Sequence, residues 1–305
     1  MKISTIIPCH NAGPYIQKAL QSVADQTHPA HEILVIDDGS TDDSLEMIRL
    51  SGVRVRLLHV DLGSPGGTRN AGIEAATGDW VAFLDADDYW YDYHLENASR
   101  SLQGSEDTVY MCHSDAMSHD TSEVYHFSPR WSAKEQNGNT HEDFFRWFAE
   151  TFYFSPSGVI QKRQTVLEAG SYDPEQTKRA DVEQFMRVVH GQTWTWNATP
   201  GWRYRVDTPG GLTRDVASLE FFMLRCLLKN QGLYKGPDIK RMIALFAKRA
   251  LSTAHVDGTR DDQKRARQLA WDHLDPRSRL CFRAADLAPS VFRRAIRTKR
   301  KLQGI

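Results

Sequence analysis

Short apolar runs alternate with segments of helical periodicity over the first hundred residues. The runs at 3–7, 33–36 and 80–84 are rich in β-branched and other apolar residues, as in strands that are covered on both faces. At 53–57 apolar residues alternate with arginine, which predicts a further strand nearer the edge. Helices are predicted between these runs, from Pro14, after 40–42 and over 66–76. This order predicts an α/β fold with an open, mainly parallel, doubly wound sheet.

The hydrophobic pattern loosens beyond residue 100. We predict a strand at 109–112, helices over 141–150 and 180–190, and a hairpin over 193–206 that has proline and glycine near its middle. From Val216 onward the periodicity is helical, with glycine and proline at the breaks. The sequence therefore predicts a helical appendage at the C-terminus.

These patterns divide the chain at about residue 215. Residues 1–215 are expected to form one α/β domain, with 1–100 and 101–215 as its two halves. Residues 216–305 are expected to form a helical C-terminal region that ends in a basic tail.

Charge is unevenly distributed along the 305 residues, although the net charge is only −1. Residues 277–305 contain nine Lys and Arg residues and one acid, Asp286, while the preceding chain has 38 acidic and 29 basic residues. A protein that binds nucleic acid needs a positive face, so an acidic body argues against a nucleic-acid partner.

The chain carries no signal for export or for membrane insertion. No uncharged apolar run is long enough to cross a bilayer, and the N-terminus lacks the layout of a secretory signal. The four cysteines are far apart and have no metal-ligand spacing, which is typical of reduced thiols. We therefore expect a cytoplasmic protein.

Acidic residues follow two of the predicted strands directly. Asp37 and Asp38 follow the strand at 33–36, and Asp85, Asp87 and Asp88 follow the strand at 80–84. Ligands of open α/β sheets bind beyond the carboxyl ends of the strands. Five carboxylates at one edge repel each other unless a cation lies among them, and a divalent cation shared with substrate phosphates is the usual solution. Helix capping is the alternative for either cluster alone.

Five segments resemble glycosyltransferase family 2, in the same order as in that family. They are 6–11, 35–42, 68–73, 78–80 and 84–88. The resemblance is specific over the first hundred residues, thins towards residue 215 and does not extend to the last ninety. It implies a GT-A fold and the inverting transfer of a sugar from a nucleoside diphosphate sugar, with 1–100 as the nucleotide-binding half and 101–215 as the acceptor-binding half.

The resemblance implies a base pocket at the ends of the first two strands. Pro8 and its neighbours, among them Asn11, would line this pocket. Asp38 would accept a hydrogen bond from the nucleobase, with Asp37 supporting the loop. Arg69 has two open interpretations, since it could reach the nucleotide or could lock the loop.

The same resemblance assigns the second acidic cluster to the donor sugar and to a metal. Asp85, with Ala86 beside it, would lie near the donor ribose. Asp87 would bind Mg²⁺ or Mn²⁺ as the second acid of the Asp-x-Asp motif, with Asp88 as a supporting ligand.

The resemblance also implies a catalytic base at the start of a helix. Inversion requires a carboxylate that takes the proton of the acceptor hydroxyl. The segment 180–187 resembles the family's base segment and makes Asp181 the candidate, although Ala180 replaces the customary Glu. Glu183 is the second choice, and helix capping is the alternative role of Asp181.

The expected activity is a single-addition, metal-dependent hexosyl transfer to a saccharide or lipid-linked saccharide, in polysaccharide or glycan biosynthesis at the cell surface. UDP is the most frequent donor nucleotide of the family. The Gln-x-x-Arg-Trp motif of processive relatives is absent, since Val188 follows Arg187. Two alternatives stay open: a non-catalytic binding or scaffold module of the same fold, and a sugar-1-phosphate nucleotidyltransferase.

The basic tail predicts an amphipathic helix that starts at Pro289. Val291, Phe292, Ala295 and Ile296 share one of its faces, with basic residues around them. Such a helix could place the protein peripherally at the inner face of a membrane, beside a lipid-linked acceptor. A solvated basic terminus is the alternative.

Overall fold

The computed structural model describes residues 1–118, 124–126, 139–141, 155–173, 175–206, 216–234 and 236–303. The chain divides into two compact units, Met1–Gly210 and Gly211–Ile305. In the described residues the first unit contains a sheet with flanking helices, and the second contains helices.

The described strands form one ten-stranded sheet. They are Ile3–Cys9 (β1), Glu32–Asp38 (β2), Arg56–Val60 (β3), Trp80–Phe83 (β4), Tyr89–Trp90 (β5), Val109–Ser118 (β6), Val124–His126 (β7), Asn139–His141 (β8), Val159–Lys162 (β9) and Trp194–Val206 (β10). The helices of this unit are Gly13–Ala24 (α1), Ser44–Leu50 (α2), Pro65–Ala75 (α3), His94–Leu102 (α4), Arg163–Ala169 (α5) and Ala180–Val189 (α6), with a 3₁₀ turn at Pro156–Gly158.

The sheet order is β3-β2-β1-β4-β9-β6-β10-β5, with β7 on β6 and β8 on β10. Strands β3, β2, β1 and β4 are parallel, as are β6 and β10. The pairs β4–β9, β6–β9 and β5–β10 are antiparallel, so the sheet is mixed. The predicted open α/β sheet with a C-terminal helical region is confirmed. Because β2 and β4 run in the same direction, their two acidic ends lie at the same edge.

Helix α3 approaches the centre of the sheet unusually closely. A Cβ atom added to Gly72 would lie 2.4 Å from Cγ2 of Ile6 and 3.3 Å from Cγ1 of Ile36, both of which are buried. Only glycine fits such a contact without a shift of the helix. This packing fixes the height of α3 above the strands and therefore the position of Arg69 on it.

The predicted hairpin at 193–206 is wrong, because β10 is a single strand parallel to β6. The register shifts on either side of Pro200, which has no N–H to donate to the ladder. Gly201 serves a close approach, since an added Cβ would lie 2.5 Å from both Cys112 Sγ and His94 Nδ1.

Two further expectations changed in detail. The strand predicted at 53–57 lies at Arg56–Val60, and it is at one end of the sheet order as expected. The helix predicted over 141–150 lies outside the described residues, except for His141, which ends β8.

The second unit contains five described helices. They are Val216–Asn230 (α7), Pro237–Val256 (α8), Arg260–Ala270 (α9), Pro276–Leu287 (α10) and Pro289–Gln303 (α11), with a 3₁₀ turn at Trp271–His273. Helix α8 packs against all four others. Within the described ranges, no helix combines the length and the apolarity that a bilayer span requires. The four cysteines of the chain are free thiols, and three of them are buried.

Candidate functional site

Asn11 ties the loop after β1 to the loop after β2. Its φ of 52° lies in the left-handed region, which asparagine tolerates better than most residues. The side-chain Oδ1 accepts from the backbone N of Thr41 at 2.8 Å and of Asp42 at 3.3 Å, and the Asn11 N–H donates to Ser40 Oγ at 3.0 Å. Pro8, in β1, is half-buried two residues before this turn.

Asp38 holds the loop that leads into α3. Its carboxylate accepts from the backbone N of Leu62 at 2.6 Å, Gly63 at 3.2 Å and Ser64 at 3.1 Å, and from Thr68 Oγ1 at 3.0 Å. Burial favours the neutral acid, but these hydrogen bonds outweigh it and hold the pKa of Asp38 below its usual value of 3.8. Four donors match the four acceptor sites of a carboxylate, so this side chain is committed to the loop.

Asp37 differs from its neighbour in hydrogen bonding. Its Oδ2 lies 3.4 Å from His59 Nδ1, whereas its buried Oδ1 has no hydrogen-bond partner. An unsatisfied buried acceptor is unfavourable, and each such atom in a native fold calls for an explanation. Of the two acids that end β2, Asp37 is therefore the one with a carboxylate oxygen that accepts from none of the described residues.

Arg69 forms an ion pair with the first acid after β4. Its Nη2 donates to Asp85 Oδ1 at 2.7 Å, and Arg69 itself is buried. Burial alone would lower the pKa of the guanidinium, but the nearby Asp85, Tyr172 and Asp181 raise it above its ordinary value. The loop-locking interpretation of Arg69 is thus the one whose contact is observed. The residues that raise its pKa come from both halves of the unit, Asp85 from the first and Tyr172 and Asp181 from the second.

Asp88 is buried and committed to the protein. Its Oδ2 accepts from Ser157 Oγ at 2.7 Å, and its Oδ1 accepts from the backbone N of Arg205 at 3.0 Å. Burial, followed by repulsion from Asp87 and Asp85, raises the pKa of Asp88 well above its usual range. Asp85 and Asp87 are therefore close enough to Asp88 to disfavour its charged form. Ala86, between Asp85 and Asp87, is buried.

Arg205 approaches the same loop from β10. Its Nε donates to the backbone carbonyl of Asp87 at 3.0 Å, and its guanidinium carbon lies 5.0 Å from the centre of the Tyr15 ring. These two contacts fix a positive charge beside the acids. The residues Trp202, Tyr204 and Arg205 resemble the family's closing strand, but the sequence does not show that Arg205 contacts a loop more than a hundred residues away.

The described residues contain no group of three or more His, Cys, Asp or Glu side chains that could hold a metal ion. An all-protein metal cage is thus absent from the part of the chain that the structure describes. Mg²⁺ is commonly held by one or two carboxylates together with substrate phosphates. The crowded acids after β4 are of the type that the second arrangement needs: Asp87 is half-buried, and both oxygens of Asp88 have protein partners.

Asp181 is the second residue of α6 and is half-buried. The helix-capping alternative is not what the structure has, because Arg179 occupies the N-cap position. The negative charge of Asp181 raises the pKa of Arg69 and contributes to the raised pKa of Tyr172, whose largest cause is burial. Asp85 acts on the same two groups. Asp181 and Asp85 therefore lie around one shared pair, Arg69 and Tyr172.

Glu183, the second choice for a base, has a structural role. It is fully buried, and its two oxygens accept from Nε and Nη2 of Arg187 at 3.1 and 3.0 Å. Arg187 also donates to the carbonyl oxygens of Ala169, of Gly170 at 3.1 Å and of Ser171 at 2.8 Å. This pair fastens α6 to the end of α5 and leaves Glu183 without an exposed oxygen.

Asn70 and Tyr172 join α3 to the loop before α6. Asn70 Nδ2 donates to the Tyr172 carbonyl at 3.2 Å, and the Tyr172 N–H donates to Asn70 Oδ1 at 2.9 Å. A Cβ added to Gly66 would lie 3.0 Å from the Tyr172 Cβ, so glycine permits this contact. The sequence analysis gave neither residue a role. Asn70 belongs to a segment that carried the family resemblance, but its partner cannot be read from sequence.

Comparison with known proteins gives a consistent result. Residues 4–168 match the model described as "Glycosyl transferase family 2". The uncharacterized glycosyltransferase YibD of Escherichia coli is 32% identical over 199 residues, which cover 64% of this chain and 55% of that protein. A poly(ribitol-phosphate) beta-glucosyltransferase of Bacillus spizizenii is 38% identical over 114 residues, covering 32% of this chain and 18% of that protein. The chain thus spans about half or less of the length of these relatives.

Two solved structures share the fold. Staphylococcus aureus TarS 1–349 in complex with UDP-GlcNAc has a TM-score of 0.73 at 18% identity, covering 100% of this chain and 92% of that one. The mannosyltransferase PcManGT of Pyrobaculum calidifontis, in complex with GDP-Man and Mn²⁺, has a TM-score of 0.61 at 17% identity, covering 100% and 81%. At such identities the likeness shows the fold alone, and that fold is GT-A, as predicted.

Proposed function

The chain belongs to glycosyltransferase family 2, and from this membership we propose that it transfers a sugar from a nucleoside diphosphate sugar to an acceptor hydroxyl with inversion. The observation that carries the proposal is a chain of contacts: Asp85 is paired with Arg69 of α3, and α3 is bonded through Asn70 to Tyr172 in the loop before the helix that carries Asp181. Helix α3 thus connects the strand end that carries the donor-side acid to the segment that carries the proposed base, and a displacement between two substrates requires the two to be held in a fixed relation.

We propose that the nucleotide lies over the ends of β1 and β2. Asp38, with Asp37 beside it, is the acid proposed to border the nucleobase, and the Oδ1 of Asp37 has no hydrogen-bond partner among the described residues. Asp38 and Asn11 then shape the pocket through the loops that they hold, and Pro8 lines it through its backbone. UDP is the proposed nucleotide, supported by the UDP-GlcNAc complex of TarS.

The proposed metal ligand is Asp87, and Asp88 supports it by holding their shared loop through Ser157 and Arg205. A bound Mg²⁺ or Mn²⁺ supplies positive charge to the leaving diphosphate. The Mn²⁺ in the PcManGT complex supports divalent metal use in this fold. Arg205, held at the carbonyl of Asp87, adds a fixed positive charge of the protein's own at the same place.

The proposed catalytic residue is Asp181. Its carboxylate accepts the proton of the acceptor hydroxyl while that oxygen bonds to the anomeric carbon and the bond to the diphosphate oxygen breaks. The leaving nucleoside diphosphate keeps the bonding electrons, and the anomeric centre inverts. Arg69, Asn70 and Tyr172 act as positioning residues, because they fix α3 against the loop that leads to Asp181.

The proposed acceptor is a saccharide or lipid-linked saccharide in the biosynthesis of a cell-surface polysaccharide, with one hexosyl residue added per encounter. The name of the Bacillus spizizenii relative, an enzyme of a polyol-phosphate polymer, supports this class. The basic C-terminal region is proposed to lie peripherally against the membrane that carries such an acceptor.

The substitution Asp181→Asn tests the proposal. We expect UDP binding with Mn²⁺ to stay within about two-fold, while release of UDP from a panel of UDP-sugars falls by roughly 10²–10⁴-fold, the usual contribution of a general base. Glu168→Gln, an exposed acid on α5, is the matched control and should change neither quantity. Retained turnover in the Asp181 variant removes this residue from the role. Nucleotide binding without turnover of any donor by the wild type would instead favour the non-catalytic module.

A further inference from the structure

Helix α10 presents an apolar stripe to solvent. Leu280 and Leu287 lie seven residues apart on one face and are 69% and 88% exposed, with the exposed Ala284 between them. The opposite face carries Phe282 and Ala285, which are buried. The helix is therefore packed on its inner side and still has leucines on its outer side, an arrangement that costs free energy in water unless something covers it.

The stripe continues across the turn into α11. Val291 follows Leu287 by four residues and is 68% exposed. The inner face of α11 is fixed by Phe292, whose ring lies 5.8 Å from that of Phe282 and 5.7 Å from that of His255 on α8. Since both inner faces meet at His255, the exposed apolar residues of α10 and α11 point away from α8. We call Leu280, Ala284, Leu287 and Val291 the outer stripe.

Arginines border the outer stripe on both helices. Arg277 and Arg283 lie three residues before and after Leu280, one on each side of it, and both are exposed. Arg294 lies three residues beyond Val291, and Arg297 follows on the next turn; both are exposed.

The charge of this face is not balanced by its own acid. Asp286 is the only acidic residue in 277–305, and it is already paired with Arg267 and, at 3.1 Å, with His255. Two other arginines have structural contacts, since Arg279 donates to the Trp271 carbonyl at 3.2 Å and Arg293 to the His255 carbonyl at 2.9 Å. Arg283 also lies 5.8 Å from the centre of the Trp271 ring, yet it and the other arginines beside the stripe are exposed, so this face carries a net positive charge towards solvent.

We propose that the outer stripe and its arginines dock on the surface of a bilayer that contains anionic lipids. Leucine and valine on the outer face of two helices, bordered by arginine, have the chemistry of an interfacial helix that buries its apolar residues among acyl chains and leaves its cations at the head groups. A protein partner would need acidic residues placed opposite the individual arginines. The head groups of an anionic bilayer instead offer negative charge across the whole surface. This surface gives residues to the peripheral membrane contact of the proposed function and rests on that proposal, although the transfer step itself does not require it.

Co-sedimentation of the full chain with lipid vesicles tests the proposal. We expect binding to phosphatidylcholine vesicles with 30 mol% phosphatidylglycerol, and at least ten-fold weaker binding to pure phosphatidylcholine. The double variant Leu287→Glu and Val291→Glu should lose at least ten-fold in affinity. Each of Arg277→Gln, Arg283→Gln and Arg294→Gln should lose up to about five-fold, less at high salt. Leu50→Glu, which alters an equally exposed leucine of α2, is the matched control and should bind as the wild type does.

Three results would overturn the proposal. They are no vesicle binding by the intact chain, binding that the double variant leaves unchanged, and a stripe that joins two copies instead. The last is detected by sedimentation velocity, as a wild-type dimer that the double variant converts to monomer without any vesicle binding. Because the altered residues are exposed, thermal midpoints of all variants should match the wild type. Turnover of a soluble UDP-sugar should also be unchanged, which separates this test from that of Asp181.

Discussion

The ends of β2 and β4 carry the same sequence signal and have different structures. After β2, Asp38 is bound by backbone donors from a loop about 25 residues further along the chain. After β4, the acids are held by side chains and backbone that arrive from α3, from the 3₁₀ turn and from β10, between 16 and 118 residues away. The acid at the end of β2 is therefore held by a nearby loop. The acids after β4 are held by residues from distant parts of the unit.

This difference distinguishes Asp38, whose charge is stabilised by the loop that it holds, from the acids after β4, whose charges are not balanced in the same way. Hydrogen bonds from neutral donors lower the pKa of Asp38 and so stabilise its ionised form. Burial and like charge raise the pKa of Asp88, so the β4 end gains from an added cation. The donor diphosphate with its metal is the proposed source of that balance, and the two ends should therefore respond differently to substitution.

The largest expected effect is that of Asp87→Asn at the β4 end. Turnover of the donor should fall by roughly 10²–10³-fold, because a principal electrostatic contact of the leaving group is lost. The stabilisation by UDP should no longer depend on Mn²⁺, while the ligand-free midpoint should stay unchanged. Asp61→Asn, an exposed acid near the β2 end, is the control. An unchanged metal dependence would remove Asp87 from the metal site.

At the β2 end, Asp38→Ala should act on stability instead. It leaves three backbone N–H groups and the Thr68 hydroxyl without their acceptor, so the free energy of unfolding should fall by about 2–4 kcal/mol. Urea denaturation measures this change, and Asp61→Ala should cost less than about 0.5 kcal/mol. Equal stability of the Asp38 and Asp61 variants would contradict the loop-holding role.

Arg205→Gln should have an intermediate effect that is confined to the diphosphate. We expect UDP to bind about ten-fold more weakly while UMP binding changes by less than two-fold, because the guanidinium lies at the acidic loop of β4. Arg203→Gln on the same strand is the control, since Arg203 bonds to the hydroxyls of Tyr89 and Tyr91. Equal losses for UDP and UMP would show that Arg205 only supports the fold.

The smallest expected effect is in the pH dependence of stability. The pKa of Asp38 is lowered from 3.8 in the folded state, so its ionised form stabilises the fold above that value, and this contribution is lost as the pH falls through the folded pKa. The difference in unfolding free energy between wild type and Asp38→Asn should thus be constant from pH 5 to 7 and shrink below about pH 4. A difference that grows on acidification would have the wrong sign.

Local pattern was sufficient to predict four of the five strands and three of the four helices that begin in the first hundred residues, and with them both acidic ends; β5 and α4 were not predicted. The runs 3–7 and 33–36 are apolar enough to be buried on both faces, and the acids follow at fixed positions. The hairpin predicted around Pro200 was wrong. Proline and glycine are also compatible with an irregularity inside a long strand, and the sequence does not show that this strand pairs with β6 along its length.

The contacts that complete the site could not be predicted, because each joins residues distant in sequence. Arg205 reaches Asp87 across 118 residues, and Asn70 reaches Tyr172 across 102. For Glu183, a partner at i+4 was visible in the sequence as Arg187. Its complete burial was not, because that depends on packing against the rest of the unit. Geometry rather than pattern therefore makes Asp181 the better candidate.

Thermal unfolding of the wild type with UDP, GDP, CDP and dTDP, each with Mn²⁺ and with chelator, tests the central claim most directly. A ligand that binds only the folded chain stabilises it by about 2.7 kcal/mol at one hundred times its dissociation constant. The account predicts that one of these nucleotides, UDP in the first place, raises the midpoint with Mn²⁺ and much less with chelator. No shift with any nucleotide would contradict a donor site at the ends of β2 and β4.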